Sequence, residues 1–188
     1  MGSSSTRVRK SHAELAKDAK GRGSRNRMER KTKIHAEDGK QELTIERDFD
    51  LPVGLLFRAH AEPELFERWM SHEYGRVKVL KFEGRRHGGW EFETTGPDGG
   101  VLFAATGVLH EFEPERKITR TFEMRDSPFD VQLEFLEFES VTAEKSRLRM
   151  HVVFRSNELR DQLMQLPFAQ GLNAAHDRLQ AAMEETKI

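Results

Sequence analysis

Residues 43–50 alternate Leu, Ile, Arg and Phe with Thr, Glu, Asp and Asp, the two-residue period of a half-buried strand. Asp50 then leads into Pro52, and a proline at the first helical position suits a helix start. Leu55, Leu56 and Phe57 mark a short helix over 53–59. Glu62-Pro63-Glu64-Leu65-Phe66-Glu67-Arg68-Trp69 repeats the signal, with a proline near the start and acids in the first turn. Two such short helices cannot reach across a sheet, and the pattern predicts a plug at one end of it.

Strand patterns follow. In 76–82, Val77, Val79 and Lys81 alternate with Lys78, Leu80 and Phe82, and Trp90, Phe92 and Thr94 share one face of the next strand. Pro97-Asp98-Gly99-Gly100 signals a hairpin turn. Residues 101–112 return, Pro114-Glu115-Arg116 turns, and 118–124 follow. The Asp126-Ser127-Pro128 loop leads to 131–139, where Glu134, Glu137 and Glu139 read as a solvated face. Residues 146–155 close the sheet with Leu148, Met150, Val152 and Phe154 inward. Consecutive strands joined by tight turns predict an antiparallel meander. The chain ends in helix. Ser156 or Asn157 caps a short piece carrying Leu159 and Leu163. Pro167, which inside a helix would cost about 3 kcal/mol or more, is expected to start a second, longer helix. There Leu172, His176, Leu179 and Met183 form one stripe. About 19 residues at 1.5 Å each give about 28 Å, enough to lie across a small sheet.

Strand, two short helices, six strands and a long helix make an α+β chain in the helix-grip order: a curved antiparallel sheet wrapped around a C-terminal helix. Glu46-Arg47-Asp48-Phe49-Asp50-Leu51-Pro52 resembles the opening of START-like (SRPBCC superfamily, Bet v-like) proteins. Within that superfamily the chain resembles the branch named after the ATPase activator of the 90-kDa heat-shock chaperone. Glu62-Pro63-Glu64-Leu65, Trp69, Gly88-Gly89-Trp90-Glu91-Phe92, Gly107, Glu111, Pro114-Glu115-Arg116, Thr121-Phe122-Glu123 and residues 173–179 carry that resemblance. Two segments depart from it, Met70-Ser71-His72-Glu73-Tyr74 and Leu166-Pro167-Phe168-Ala169-Gln170-Gly171. The resemblance implies a START-like domain over 34–188 that binds a small hydrophobic or amphipathic molecule. It also implies two alternatives, a polyketide cyclase- or hydrolase-like enzyme and a co-chaperone-type interaction domain with a chaperone partner.

Charge divides the chain. Residues 1–40 hold 12 Lys and Arg against 5 Asp and Glu, a net of +7, and the remaining residues hold 19 against 27, a net of −8. A basic segment this poor in apolar residues cannot offset its own chain entropy, so residues 1–33 are expected to be a disordered tail. No aromatic residue interleaves with its basic ones, so stacking on nucleic-acid bases has no support. The absence of cysteine excludes disulfides and thiol nucleophiles and fits a cytoplasmic setting. No apolar run approaches the length of a membrane span.

The candidate chemistry is sparse. The eight histidines show no HExxH spacing, and no G-x-S-x-G or phosphate-cradling glycine motif is present, so no catalytic residue, metal or cofactor is implied. The inward sheet face supplies Trp90, Phe92, Ala105, Leu109, Arg120, Phe122 and Phe154, and the facing helix supplies Leu172, His176 and Leu179. These ten residues are the expected lining of an apolar pocket, with the small residues Ala105 and Gly107 leaving its volume. His176 or Arg120 would be its polar anchor. If strictly alternating, Arg120 points inward and requires a carboxylate, from the protein or from a ligand. Were there catalysis, His176, Arg120 and Tyr74 would be the groups to carry it.

Overall fold

The structure is a computed structural model and describes residues 31–186; the basic segment as far as residue 30 lies outside them. Eight strands form one antiparallel sheet: β1 (Lys33–His35), β2 (Glu42–Phe49), β3 (Arg76–Phe82), β4 (Gly89–Thr95), β5 (Val101–Glu113), β6 (Lys117–Met124), β7 (Gln132–Thr142) and β8 (Lys145–Val153), in the order β1-β2-β8-β7-β6-β5-β4-β3. Helices α1 (Val53–Ala61) and α2 (Pro63–Met70) follow β2, and α3 (Asn157–Gln165) and α4 (Phe168–Thr186) end the described chain. This is the helix-grip architecture, with the meander running unbroken from β3 to β8 and β2 closing beside β8.

Local chemistry sets the helix ends. Pro63 occupies the first turn of α2 behind Glu62, where a missing N–H is harmless. Ser156 Oγ accepts from the Leu159 amide at 3.3 Å and caps α3. The chain breaks at Leu166-Pro167, and the Pro167 carbonyl takes the Gly171 amide in the first turn of α4.

Two features depart from the sequence pattern. β1 is an eighth, three-residue strand, pairing Lys33 with Glu46 and His35 with Thr44; with one apolar residue it carries no alternation to read. In β3 a register shift between Val79 and Lys81 places an extra residue, Leu80, against β4. The alternation expected for 76–82 therefore flips: Phe82, not Lys81, packs against the core.

The core falls into two clusters. The larger joins α1, α2 and α4 to the sheet through Leu56, Phe57, Trp69, Phe92, Leu136, Leu179 and Met183. The smaller gathers Leu43 and Ile45 of β2, Val152 of β8, Phe154 just beyond it, and Leu163 of α3. Between the two clusters the packing is incomplete, and the candidate site lies there.

Candidate ligand-binding cavity

Leu43, Ile45, Val152, Phe154 and Leu163 from the smaller cluster, and Trp69, Phe92 and Leu136 from the larger, face the same cavity of about 280 Å3. Phe66, Phe103, Phe122, Phe168 and Leu172 complete its apolar wall. That volume lies near the lower end of small-molecule pockets, roughly 300–1,000 Å3. It is about twice the dry engineered cavity that accepts benzene.

Six of the ten residues expected to line a pocket do so: Phe92, Arg120, Phe122, Phe154, Leu172 and His176. The other four lie elsewhere. Ala105, Leu109 and Leu179 are buried in the larger core cluster. Trp90, 4 % exposed, borders a separate crevice of about 20 Å3, with room for little more than one water. Register explains this placement. Trp90 stands opposite Gly107 and Phe92 opposite Ala105 across β4 and β5, so the small residues accept aromatic rings and leave no open volume. A Cβ at Gly107 would sit 1.9 Å from the Thr121 carbonyl oxygen and 2.7 Å from Trp90 Nε1. Tyr74, considered above as a chemical group, is 67 % exposed and does not line the cavity.

Polar groups enter the wall at few points. Arg120 lies inward on β6 because the register shift in this pair falls on β5, between Leu109 and Glu111, and leaves the β6 alternation intact. Its Nε donates to Glu134 Oε2 at 2.7 Å, and its guanidinium lies 4.9 Å from the centre of the Trp90 ring and 5.7 Å from that of Phe122. The carboxylate that Arg120 requires therefore comes from the protein. This corrects the reading of Glu134 as part of a solvated face: it is 4 % exposed, and its second oxygen accepts from Gln132 Nε2 at 2.7 Å. Glu137 and Glu139 are exposed. Residue parity could have separated them, since Glu134 falls on the face of Leu136 and Phe138 and the other two on the opposite face.

Two histidines complete the polar set. His176, 1 % exposed, sits edge-on to Phe49, with its Nδ1 2.8 Å from Thr32 Oγ1. Burial, assisted by the charges of His60 and Arg47, holds its pKa down to about 3. His60, near the end of α1, packs on Trp69 and Phe138, and its Nδ1 lies 2.9 Å from the Leu56 carbonyl oxygen. Burial pushes its pKa down to about 4, with the Arg120 charge adding to the effect. Both rings are therefore neutral at pH 7. His60 had no marker in the sequence beyond its position one turn after Leu56.

Behind His176 stands a second polar cluster. Arg47, 3 % exposed, donates from Nη2 to Asp177 Oδ1 at 2.6 Å and from Nη1 to Asn173 Oδ1 at 3.3 Å and Thr32 Oγ1 at 3.4 Å. The Thr32 amide donates to Asn173 Oδ1 at 3.0 Å. These bonds tie the start of the sheet to α4 beside the cavity.

Known structures share this architecture. A protein from Rhodobacter sphaeroides is 22 % identical with a TM-score of 0.73, covering 81 % of this chain and 98 % of its own. One from Arthrobacter aurescens is 18 % identical with a TM-score of 0.72, covering 81 % and 91 %. One from Mycobacterium smegmatis is 18 % identical with a TM-score of 0.70, covering 80 % and 94 %. At these identities the likeness establishes the fold. No curated protein matches the chain. Residues 50–184 match the family model described as Activator of Hsp90 ATPase homolog 1-like protein, and a match over most of the chain, on the START-like helix-grip fold just described, makes this protein a member of that family.

Proposed function

We propose that the protein binds one small, mostly apolar molecule in the cavity between its two core clusters. The observation that carries this reading is the gap itself. Close packing tolerates few voids larger than a water, yet about 280 Å3 stand open behind a wall dominated by aromatic and aliphatic side chains, with a few polar groups placed among them. That combination is the usual signature of a small-molecule site.

An enzyme of the cyclase type is less well supported by the same residues. General base catalysis works best with a pKa near the operating pH, and His60 and His176 are held at about 4 and about 3. Glu134 spends both oxygens on Arg120 and Gln132. The groups in the wall are better suited to recognising a molecule than to moving its protons.

Native mass spectrometry of freshly purified protein tests the reading. A retained small-molecule adduct is expected. Leu172→Trp, which places a large ring in the cavity, should eliminate it while the protein stays folded by circular dichroism. A bare wild-type mass, together with an unchanged thermal midpoint across a panel of apolar compounds, would leave the cavity without a binding role. A ligand at a hundredfold excess over its Kd should stabilise the fold by about 2.7 kcal/mol.

A further inference from the structure

The cavity wall keeps unspent hydrogen-bond donors, and its described residues carry no net charge. Among the described residues lining the cavity, Arg120 and Glu134 are the only formally charged side chains, and at 2.7 Å they balance one another. Each Glu134 oxygen already accepts one hydrogen bond, from Arg120 Nε and from Gln132 Nε2. The two terminal nitrogens of Arg120 have no protein partner among the described residues, and a guanidinium can only donate.

The second donor is set by a relay. Arg47 Nη1 donates to Thr32 Oγ1. The Thr32 hydroxyl lies 2.8 Å from His176 Nδ1 and can give its own hydrogen there. The adjacent Arg47 charge favours the same arrangement, because it stabilises a lone pair on Nδ1 over an N–H. A neutral His176 with a bare Nδ1 carries its proton on Nε2, and its ring forms part of the cavity wall. His60 has the opposite tautomer. The Leu56 carbonyl can only accept, so Nδ1 is protonated and Nε2 is a bare acceptor.

We propose that the cavity selects a neutral ligand with a carbonyl oxygen on an apolar body, the oxygen accepting from His176 Nε2–H, with Thr32 as the positioning residue that fixes the His176 tautomer and the Arg120 terminal nitrogens as further donors on the same wall. This inference rests on the binding role proposed above and adds the chemistry of the head group. A carboxylic acid fits less well, because its charge would be buried beside Glu134 with no uncompensated cation to receive it. A hydrocarbon of the same shape would leave the donors unpaired.

Matched ligands decide the point: 2-acetylnaphthalene, 2-naphthoic acid and 2-ethylnaphthalene, together with 2-decanone, decanoic acid and decane, titrated at pH 7.5 by calorimetry or thermal shift. In at least one series the ketone is expected to bind at least about tenfold more tightly than both its partners, the equivalent of one correctly made hydrogen-bonding set. Thr32→Val should weaken the ketone several-fold and leave the hydrocarbon unchanged. Nitrogen-15 spectra should show the His176 proton on Nε2 in the wild type and a mixture of tautomers in the variant. Glu134→Gln, which frees the Arg120 charge, should shift preference toward the acid. If the acid or the hydrocarbon binds wild-type protein as tightly as the ketone, the head-group inference is wrong and the binding role stands. If none of the six compounds binds, the head-group inference is wrong, and if the native mass is also bare the binding role fails with it.

Discussion

Arg120 and Glu134 face one another across β6 and β7, directly opposite in register and joined by a 2.7 Å hydrogen bond inside the cavity wall. Each is unsuited to an apolar interior alone, and each is acceptable with the other present. Breaking such a pair leaves a buried charge without its partner, at a cost of about 3–5 kcal/mol. Glu134→Ala should therefore lower stability by that order in urea denaturation. The double change Arg120→Met with Glu134→Leu should recover most of the loss, since an apolar replacement of both partners is often neutral. A double variant no more stable than Glu134→Ala would mean that Arg120 is not left as an uncompensated buried charge in the single variant.

Trp90 and Gly107 form a second pair in register, the ring seated where a side chain would otherwise be. Gly107→Ala must displace either the β6 backbone at Thr121 or the indole. We expect a loss of roughly 3 kcal/mol, at the upper end of the usual range for overpacking, because one of the two neighbours is backbone. Trp90→Ala should cost about 3–5 kcal/mol, because the ring is close-packed core stacked on Phe92. Chemical denaturation of both variants checks this. A small loss for Trp90→Ala would place the ring against open space instead.

The residues that announced themselves were those whose neighbours alternate. The inward faces of β2, β4 and β8 were legible from period alone, and so was the His176 stripe of α4, because burial on one face forces that pattern on the sequence. Glu134 was legible by parity but misread, since charge suggested solvent more strongly than position suggested core. Other features left no local trace. The Leu80 bulge depends on pairing with β4, and the three-residue β1 is held by backbone bonds that many side chains would permit. Thr32, within a basic run, becomes meaningful only when α4 brings Asn173 and His176 beside it. The cavity itself was placed at the small residues of β5, whereas it lies where two clusters from distant segments fail to meet.

The Ser156 cap gives a smaller effect on a defined element. Ser156→Ala removes the acceptor of the Leu159 amide at the start of α3 and should lower stability by about 1 kcal/mol. For a chain of this size that corresponds to a fall of about 2–4 °C in thermal midpoint. Ser156→Asp should preserve the midpoint, since aspartate caps as well. An unchanged midpoint in the alanine variant would show that packing of Leu163 alone holds the helix.

Acid stability follows from the two histidines of the wall. In the folded protein burial holds His176 at about 3 and His60 at about 4, whereas in the unfolded chain both titrate near 6.5. Above that pH the rings are neutral in both states and stability is undiminished. As the pH falls below it, the unfolded chain takes up protons that the folded protein refuses, so unfolding becomes progressively easier. At pH 5 each ring accounts for a loss of about 2 kcal/mol, and the loss levels off only as the folded rings protonate. The paired carboxylates of Asp48 and Glu111, held below their usual range mainly by hydrogen bonds to Arg147 and Lys117, act at lower pH and leave this window clear. Urea titrations between pH 7.5 and 5 should thus show a falling free energy of unfolding. Replacing either ring, as His60→Gln or His176→Gln, should remove about half of that slope. A slope that both variants share with the wild type would mean that the rings are protonated inside the folded protein, and that the donor and acceptor pattern drawn for the cavity is wrong.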